Sequence, residues 1–424
     1  MADLRTESAW LARASVEEAF REHHGRLFAT LVRSFRDFDL AEDALQDALT
    51  AALGDWPVNG IPDSPGAWLL TVARRKAIDS LRRGHGARPL DDAAAAAIEA
   101  APELERAEDS VNGSRSDDDL LSLIFTCCHP SLGIEAQIGL TLRSVCGLST
   151  TQIANAFLLP ETTLAQRLVR AKRKIKDAGI PFRVPPPNLL HERVQAVAYV
   201  IYLVFNEGYA SSSSEAFVDR LLCSEAIRLG RELAELLPDE PEVAGLLALM
   251  LLQDSRRRAR IDSEGRQILL EGQDRTLWDR AQIDEASRLL EEALRKAKVG
   301  PYQIQAAIAG VHSHAAAAAD TDWAEIVGLY DLLRRVSPSP VVELNRAVAV
   351  AMLAGPESGL RLMDQPSMAA ALDSYRWYHS ARADLLRRLD RRDEARVAYR
   401  RAQALSDNPQ ERAFLERRLR ELDG

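Results

Sequence analysis

Apolar residues recur three and four positions apart along nearly the whole of this 424-residue chain, which is the spacing of one buried helix face. Phe20, Leu27, Leu31 and Phe35 mark a first long helix. Asp39 is placed to cap a second, AEDALQDALTAAL, with Ala41, Ala44, Leu45, Ala48, Leu49 and Ala52 on its apolar face. Its opposite face carries Glu42, Asp43, Gln46 and Asp47; solvation alone accounts for such a face on a surface helix. GDWPVNGIPDSPG, dense in Gly and Pro, then breaks the pattern as a loop. A third helix, AWLLTVARRKAIDSLRR, buries Leu69, Leu70, Val72, Ala73, Ala77, Ile78 and Leu81. Strand alternation is not evident anywhere in the chain, so the pattern predicts an all-α fold.

The sharpest local pattern is LSTTQIANAFLLPETTLAQRLVRAKRKIK, from Leu148 to Lys176. Ser149 or Thr150 can cap a short helix with Ile153, Ala154 and Phe157 on its apolar side. Pro160 suits a helix start and Glu161 suits its positive end. Leu164, Leu168, Ala171 and Ile175 then form the buried stripe of a second helix. Thr163, Gln166, Arg167, Arg170, Lys172, Arg173, Lys174 and Lys176 are left outside. Six cations against Glu161 give this helix a local charge of +5. A helix-turn-helix with a basic second helix is the geometry that enters a DNA major groove. Arg and Gln can read base edges there while other cations hold phosphates. A solvated basic face on a surface hairpin is the bland alternative.

Charge sharpens this picture. The chain as a whole carries −9, so any nucleic-acid contact must come from local basic patches. The third helix is a second such patch, with Arg74, Arg75, Lys76, Arg82 and Arg83 against Asp79. Between Asp91 and Leu120 ten acids face only Arg106 and Arg115, among alanines and small polar residues. Such a stretch buries little, so residues 86–119 are expected to form a flexible acidic linker.

The four cysteines, Cys127, Cys128, Cys146 and Cys223, are too few for a disulfide framework and fit a reducing compartment. Cys127, Cys128, His129 and Cys146 lack the C-x-x-C spacing of a zinc site, and buried small residues are the better reading. No metal and no cofactor is expected. The first residues lack a signal pattern, and no apolar run reaches the roughly 18 residues of a membrane span. A cytoplasmic protein with no membrane partner is expected. HExxH, P-loop and GxSxG motifs do not occur, and His191-Glu192 lacks a second His, so no catalytic residue is assigned.

Beyond the proline-rich PFRVPPPNLL, a hinge and domain boundary, everything reads as helix. EAIRLGRELAELLP places Ala226, Gly230, Leu233 and Pro238 at the spacing that closes a tetratricopeptide unit. ARADLLRRLDRRDEARVAYRRAQAL repeats it with Ala395, Tyr399 and Ala402, and DWAEIVGLYDLLRRVSPSP with VVELNRAVAVAMLAG forms a looser copy. Stacked hairpins of this kind build a solenoid, and a plain helical bundle is the alternative. YVIYLVFNEGYASSSS is expected to end a helix at Gly208, in the left-handed conformation; a docking role for Glu207 and Tyr209 is the second reading.

Two basic helical modules, an acidic linker and a helix-turn-helix in the second module resemble the sigma-70 family. More narrowly they resemble its extracytoplasmic-function (ECF) members, which keep only regions two and four. The resemblance divides the chain into region two at 15–85, the linker, region four at 120–180 and a helical extension at 188–424. It implies core RNA polymerase, through its clamp coiled coil and flap, and promoter DNA as partners. DLAEDALQDALTAAL resembles the clamp-gripping helix, which implies core-binding roles for Glu42, Asp43, Gln46 and Asp47. PGAWLLTVARRKAIDSLRR resembles the promoter-melting helix. Trp56, Trp68, Arg74, Arg75, Lys76, Asp79, Arg82 and Arg83 would then handle the minus-ten strand, cations on phosphates and aromatics on unstacked bases. Thr162, Thr163, Gln166, Arg167, Arg170, Lys172, Arg173 and Lys174 would read the minus-thirty-five element.

FTCCHP, AQRLVRAKRKI and YLVFNEGY resemble a subgroup with a fused tetratricopeptide-like extension that takes the place of a separate anti-sigma factor. That implies a regulatory extension with a protein partner of its own. The competing reading is a helix-turn-helix regulator with a sensing helical domain that does not bind polymerase. It leaves the acidic second helix and the basic third helix unexplained.

Overall fold

The helix-period pattern resolves into helices in the computed structural model, which describes residues 2–85, 114–157, 159–210, 216–262, 264, 266, 268–406 and 409–423. There is no strand element among the described residues. The chain forms two compact units, Met1–Glu207 and Gly208–Gly424. The division falls inside a helix, Pro187–Ala210, and not at the proline-rich hinge where the sequence placed it.

The amino-terminal unit begins with α1 (Ala2–Phe35), α2 (Phe38–Asn59) and α3 (Pro65–His85). Arg36 ends α1 with a positive φ of 51°. The reversal brings Asp37, not Asp39, to the cap position of α2. Its carboxylate accepts the backbone N–H groups of Asp39 at 2.9 Å and Leu40 at 3.0 Å. Only a residue in extended backbone can fold its carboxylate back over the first turn, and Asp37 is that residue. The helix then continues through Pro57 to Asn59, so the first six residues of the expected loop are helical. The buried Trp56 anchors this last turn, packed edge-on against Trp68 of α3 at 5.6 Å.

The unit continues with α4 (Ser114–Cys127), α5 (Ile134–Leu140), a π-helical turn (Thr141–Val145), α6 (Thr150–Ala156), α7 (Glu161–Asp177) and α8 (Pro187–Ala210). Because α4 starts at Ser114, the last six residues of the expected linker are helical, while residues 86–113 lie outside the described residues. Two of the three acids among those six residues tie α4 to α1. Asp117 pairs with Arg26 at 3.1 Å, and the buried Asp119 pairs with Arg33 at 3.3 Å. The turn after α5 presses on α1 where side chains are smallest. Gly147 has a φ of 74°, and a Cβ there would lie 2.9 Å from the His24 ring. A Cβ on Gly25 would lie 2.9 Å from the Val145 carbonyl. Glycine at both positions lets the segment seat.

The carboxy-terminal unit holds α9 (Ala216–Leu236), α10 (Pro241–Asp254), α11 (Arg280–Arg295), α12 (Pro301–His314), α13 (Trp323–Val336), α14 (Pro340–Ala354), α15 (Pro356–Met363), α16 (Pro366–Leu372), α17 (Arg376–Arg388), α18 (Arg392–Ala404) and α19 (Pro409–Asp423). Six of these open with proline in the first turn, where its missing N–H costs nothing. The small and aromatic positions read from the repeats, Ala226, Gly230, Leu233, Ala395, Tyr399 and Ala402, are buried.

Glu242 sits at the closest crossing, between α10 and α12. Its buried carboxylate accepts the backbone N–H of Tyr302 at 3.0 Å and of Gln303 at 3.1 Å, and the Gln303 side-chain amide at 3.1 Å. One turn on, a Cβ at Gly245 would lie 2.7 Å from the Gln303 backbone nitrogen.

Gly208 does not end its helix in the left-handed region, because α8 runs on to Ala210. Arg260 takes over the terminating role. It donates to the Tyr209 carbonyl at 2.7 Å and lies 3.7 Å over the Tyr209 ring, while Arg256 donates to the Tyr209 hydroxyl at 3.1 Å. Cations at a helix C-terminus satisfy carbonyls that have no helical partner.

Candidate functional site

The helix-turn-helix forms as its residues dictate. Ser149 caps α6, its hydroxyl accepting the Gln152 N–H at 3.1 Å, and the Gln152 side chain accepts the Ser149 N–H at 2.8 Å. This reciprocal pair closes the first turn at both ends. Pro160 precedes α7, whose buried residues are Leu164, Leu168, Ala171 and Ile175. Thr162, Gln166, Arg170 and Arg173 are exposed along one side, with Thr163 and Arg167 half-buried beside them. Arg173 also pairs with Asp177 at 3.2 Å, and Lys174 donates to the Ser131 carbonyl.

Lys172 goes elsewhere. Its ammonium reaches α2, 2.8 Å from Asp39 and 2.7 Å from Glu42. Arg143, from the π-helical turn, grips the other oxygen of Glu42. Glu42 is thus held by two cations from the second helical module, and the Glu42, Arg143 and Lys172 side chains are only 21%, 19% and 13% exposed. Burial alone would raise the Glu42 carboxyl, but the hydrogen bonds and charges of Lys172 and Arg143 outweigh it and hold it below its usual value. Burial alone would lower Lys172, but Asp39 and Glu42 outweigh it and raise it. Asp43, Gln46 and Asp47 stay exposed. The four residues read as one acidic face are therefore split, one clasped and three open.

On α3, Arg75, Lys76, Asp79, Arg82 and Arg83 are exposed. Arg83 Nε donates to the Asp79 carbonyl at 3.2 Å, one turn back along the same helix. Arg74 is buried and Trp68 half-buried. Trp56, expected to offer its ring to an unstacked base, is 2% exposed. It is a core residue here, since Pro57 and the continued helix turn it inward against Trp68. The cysteines of the second module are buried as well. Burial pushes the Cys127 thiol well up and Cys128 up to about 11. Among the described residues no cluster of His, Cys, Asp and Glu could hold a metal ion, and no helix is long and apolar enough to cross a membrane.

Residues 19–86, the span of α1 to α3 after the first turns, match sigma-70 region 2. The chain carries a sigma-70 region 2 domain. It is 45% identical to an uncharacterized protein of Rhizobium meliloti (strain 1021) over 98% of this chain and 96% of that one. It is 28% identical to a protein described as probable ECF RNA polymerase sigma factor SigI, in the CDC 1551 / Oshkosh and H37Rv strains of Mycobacterium tuberculosis. That match covers 40% of this chain and 58% of the relative. Residues 193–294 match a family of unknown function, DUF6596. No solved structure matches the chain.

In this chain, region 2 does not stand apart from the helix-turn-helix. Both lie in one compact unit, with the clasp on Glu42 between them. Sequence reasoning missed Arg143, Asp117 and Asp119, the residues that make this joint. A signal existed for Asp117 and Asp119, which directly precede the apolar run LLSLIF and so belong to the helix. Arg143 lies 101 residues from its partner, and nothing local points to it.

Proposed function

We propose that the chain is an initiation factor that binds core RNA polymerase and directs it to specific promoters, with no catalytic chemistry of its own. One observation supports this best. A region 2 unit presents two cationic helix faces, on α3 and α7, beside three exposed polar residues of α2, Asp43, Gln46 and Asp47. In this reading α2 engages the polymerase clamp, α3 captures the displaced minus-ten strand, and α7 reads the minus-thirty-five element in the major groove. The carboxy-terminal unit, read as a tetratricopeptide-like solenoid, regulates the factor and takes a protein partner. Opening of the Glu42 clasp frees the fourth residue of the clamp-facing side.

Run-off transcription by core enzyme with the full chain, on the DNA upstream of its own gene, tests this. A transcript with a defined start is expected, and failure of the chain to bind core enzyme would favour the polymerase-independent regulator instead.

The α7 face carries its own prediction. Arg170→Ala or Arg167→Ala is expected to weaken promoter binding by about 1–3 kcal/mol and relax specificity at one base pair. Lys176→Ala, on an exposed lysine, is expected to weaken all sequences alike and lower the salt slope by about one unit. Equal affinity of all three variants with the parent chain, measured by fluorescence anisotropy across a salt series, would remove α7 as the reading helix.

A further inference from the structure

A cavity of about 490 Å³ lies in the carboxy-terminal unit among α14, α17, α18 and α19, far along the chain from the nucleic-acid faces of region 2 and α7. Its walls are largely apolar: Val348 from α14, Tyr375 and Trp377 at the start of α17, Tyr399 from α18 and Phe414 from α19. Leu269 completes the wall from a distant part of the sequence. Trp377 and Leu269 are 41% and 43% exposed, so two large apolar side chains meet solvent where a guest would cover them. The volume falls in the range of small-molecule sites.

The ionisable groups define what fits. Two cations and two anions line the cavity, Arg376, Arg418, Asp384 and Glu411, and all four are paired within the protein. Arg376 pairs with Glu411 at 2.8 Å, and Ser406 also donates to Glu411 at 2.7 Å. Asp384 takes Arg387 at 2.7 Å and Arg388 at 2.8 Å. Arg418 pairs with Glu421 at 2.8 Å and lies 5.3 Å over the Phe414 ring. A charged guest would give up its hydration and find every counter-charge already committed. Two polar side chains of the lining, the Asn345 amide and the Ser380 hydroxyl, make no hydrogen bond to another described residue. They can serve one neutral donor or acceptor on the guest.

The same wall argues for a small molecule over a second chain. Glu271 pairs with Arg388 at 3.2 Å, and Gln273 donates to the Ile268 carbonyl at 3.2 Å. The first bond ties the segment carrying Leu269 to α17 and the second closes the segment on itself, so one side of the cavity is built by the chain itself. We propose that this cavity binds an uncharged, predominantly apolar small molecule that carries aromatic rings and one hydrogen-bonding group. This site is independent of the transcription reading.

The test uses the full chain and phenyl-naphthylamine, a neutral two-ring probe that brightens in apolar surroundings. Saturable binding at one site is expected, with displacement by β-naphthol and about tenfold weaker displacement by the charged β-naphthoate. Ala381→Trp, which fills the cavity from α17, is expected to weaken the probe by about tenfold or more with an unchanged melting temperature. Trp377→Phe keeps the cavity apolar and supplies a second readout should the filled variant not fold. The probe should still bind, and energy transfer from tryptophan to it should fall. The proposal is overturned by any of three results: naphthoate competing as well as naphthol, undiminished binding to a folded Ala381→Trp, or energy transfer unchanged in Trp377→Phe.

Discussion

Glu42→Lys is expected to cost the amino-terminal unit about 3 kcal/mol, the scale for breaking a largely buried ion pair and leaving its partners uncompensated. The new lysine would face Arg143 and Lys172 across a joint whose side chains are mostly out of solvent. The reciprocal exchange, Glu42→Lys with Lys172→Glu, should recover part of the loss, because one attraction is rebuilt. Hydrogen exchange followed by mass spectrometry reads α2 and α7 separately and is the measurement of choice. Single-variant effects that add to within about 0.5 kcal/mol would show that the two residues are not coupled.

The pH dependence has a definite sign. Glu42 is held below its ordinary 4.5 and Lys172 above its ordinary 10.5. The carboxylate contributes fully above 4.5 and its contribution is lost as pH falls through the depressed folded value. The ammonium contributes fully below 10.5 and is lost as pH rises through the raised one. Between those limits the clasp should be insensitive to pH, so any change in transcription across neutral pH has another origin.

Glu242→Ala is expected to destabilise the carboxy-terminal unit by about 3 kcal/mol, since three donors lose a charged acceptor in a buried place. Two of the three are backbone N–H groups in the first turn of α12, which no helical carbonyl can serve. The carboxylate is closely fitted, since a Cβ at Gly300 would lie 2.3 Å from its carbon. Glu242→Gln keeps one acceptor and should cost less than the alanine. Chemical denaturation with exchange protection of residues 301–314 as the local probe reads both. A loss under about 0.5 kcal/mol for the alanine variant would mean that the cap is dispensable.

The residues of the helix-turn-helix were legible because each of their constraints is local. A buried stripe at helical spacing, a proline at the start and a serine three residues before a glutamine all act within one or two turns. Leu164, Leu168, Ala171 and Ile175 are buried as their spacing requires. The cap of α2 was misplaced by two residues, since choosing between Asp37 and Asp39 needs the backbone reversal at Arg36. Trp56 was misread for a related reason: a proline one residue later reads as a loop, yet the packing of two tryptophans keeps the turn wound. The joint between the two modules was hidden altogether. Its partners lie 101 and 130 residues apart, and a charge on a helix face looks the same whether it meets water or a distant arginine. The cavity of the other unit was equally out of reach, being assembled from Leu269 and four helices beginning at Pro340.

The four buried cysteines divide unequally, with Cys127, Cys128 and Cys146 in the amino-terminal unit and Cys223 in the other. Alkylation requires an accessible thiolate; burial denies access to all four and also raises the Cys127 and Cys128 thiols. A maleimide added to the native protein can therefore react only during transient openings. Peptide mapping of the labelled product shows which unit opened, with up to three adducts in one and one in the other. The chain carries its own stopwatch for the breathing of each half, with no engineered probe.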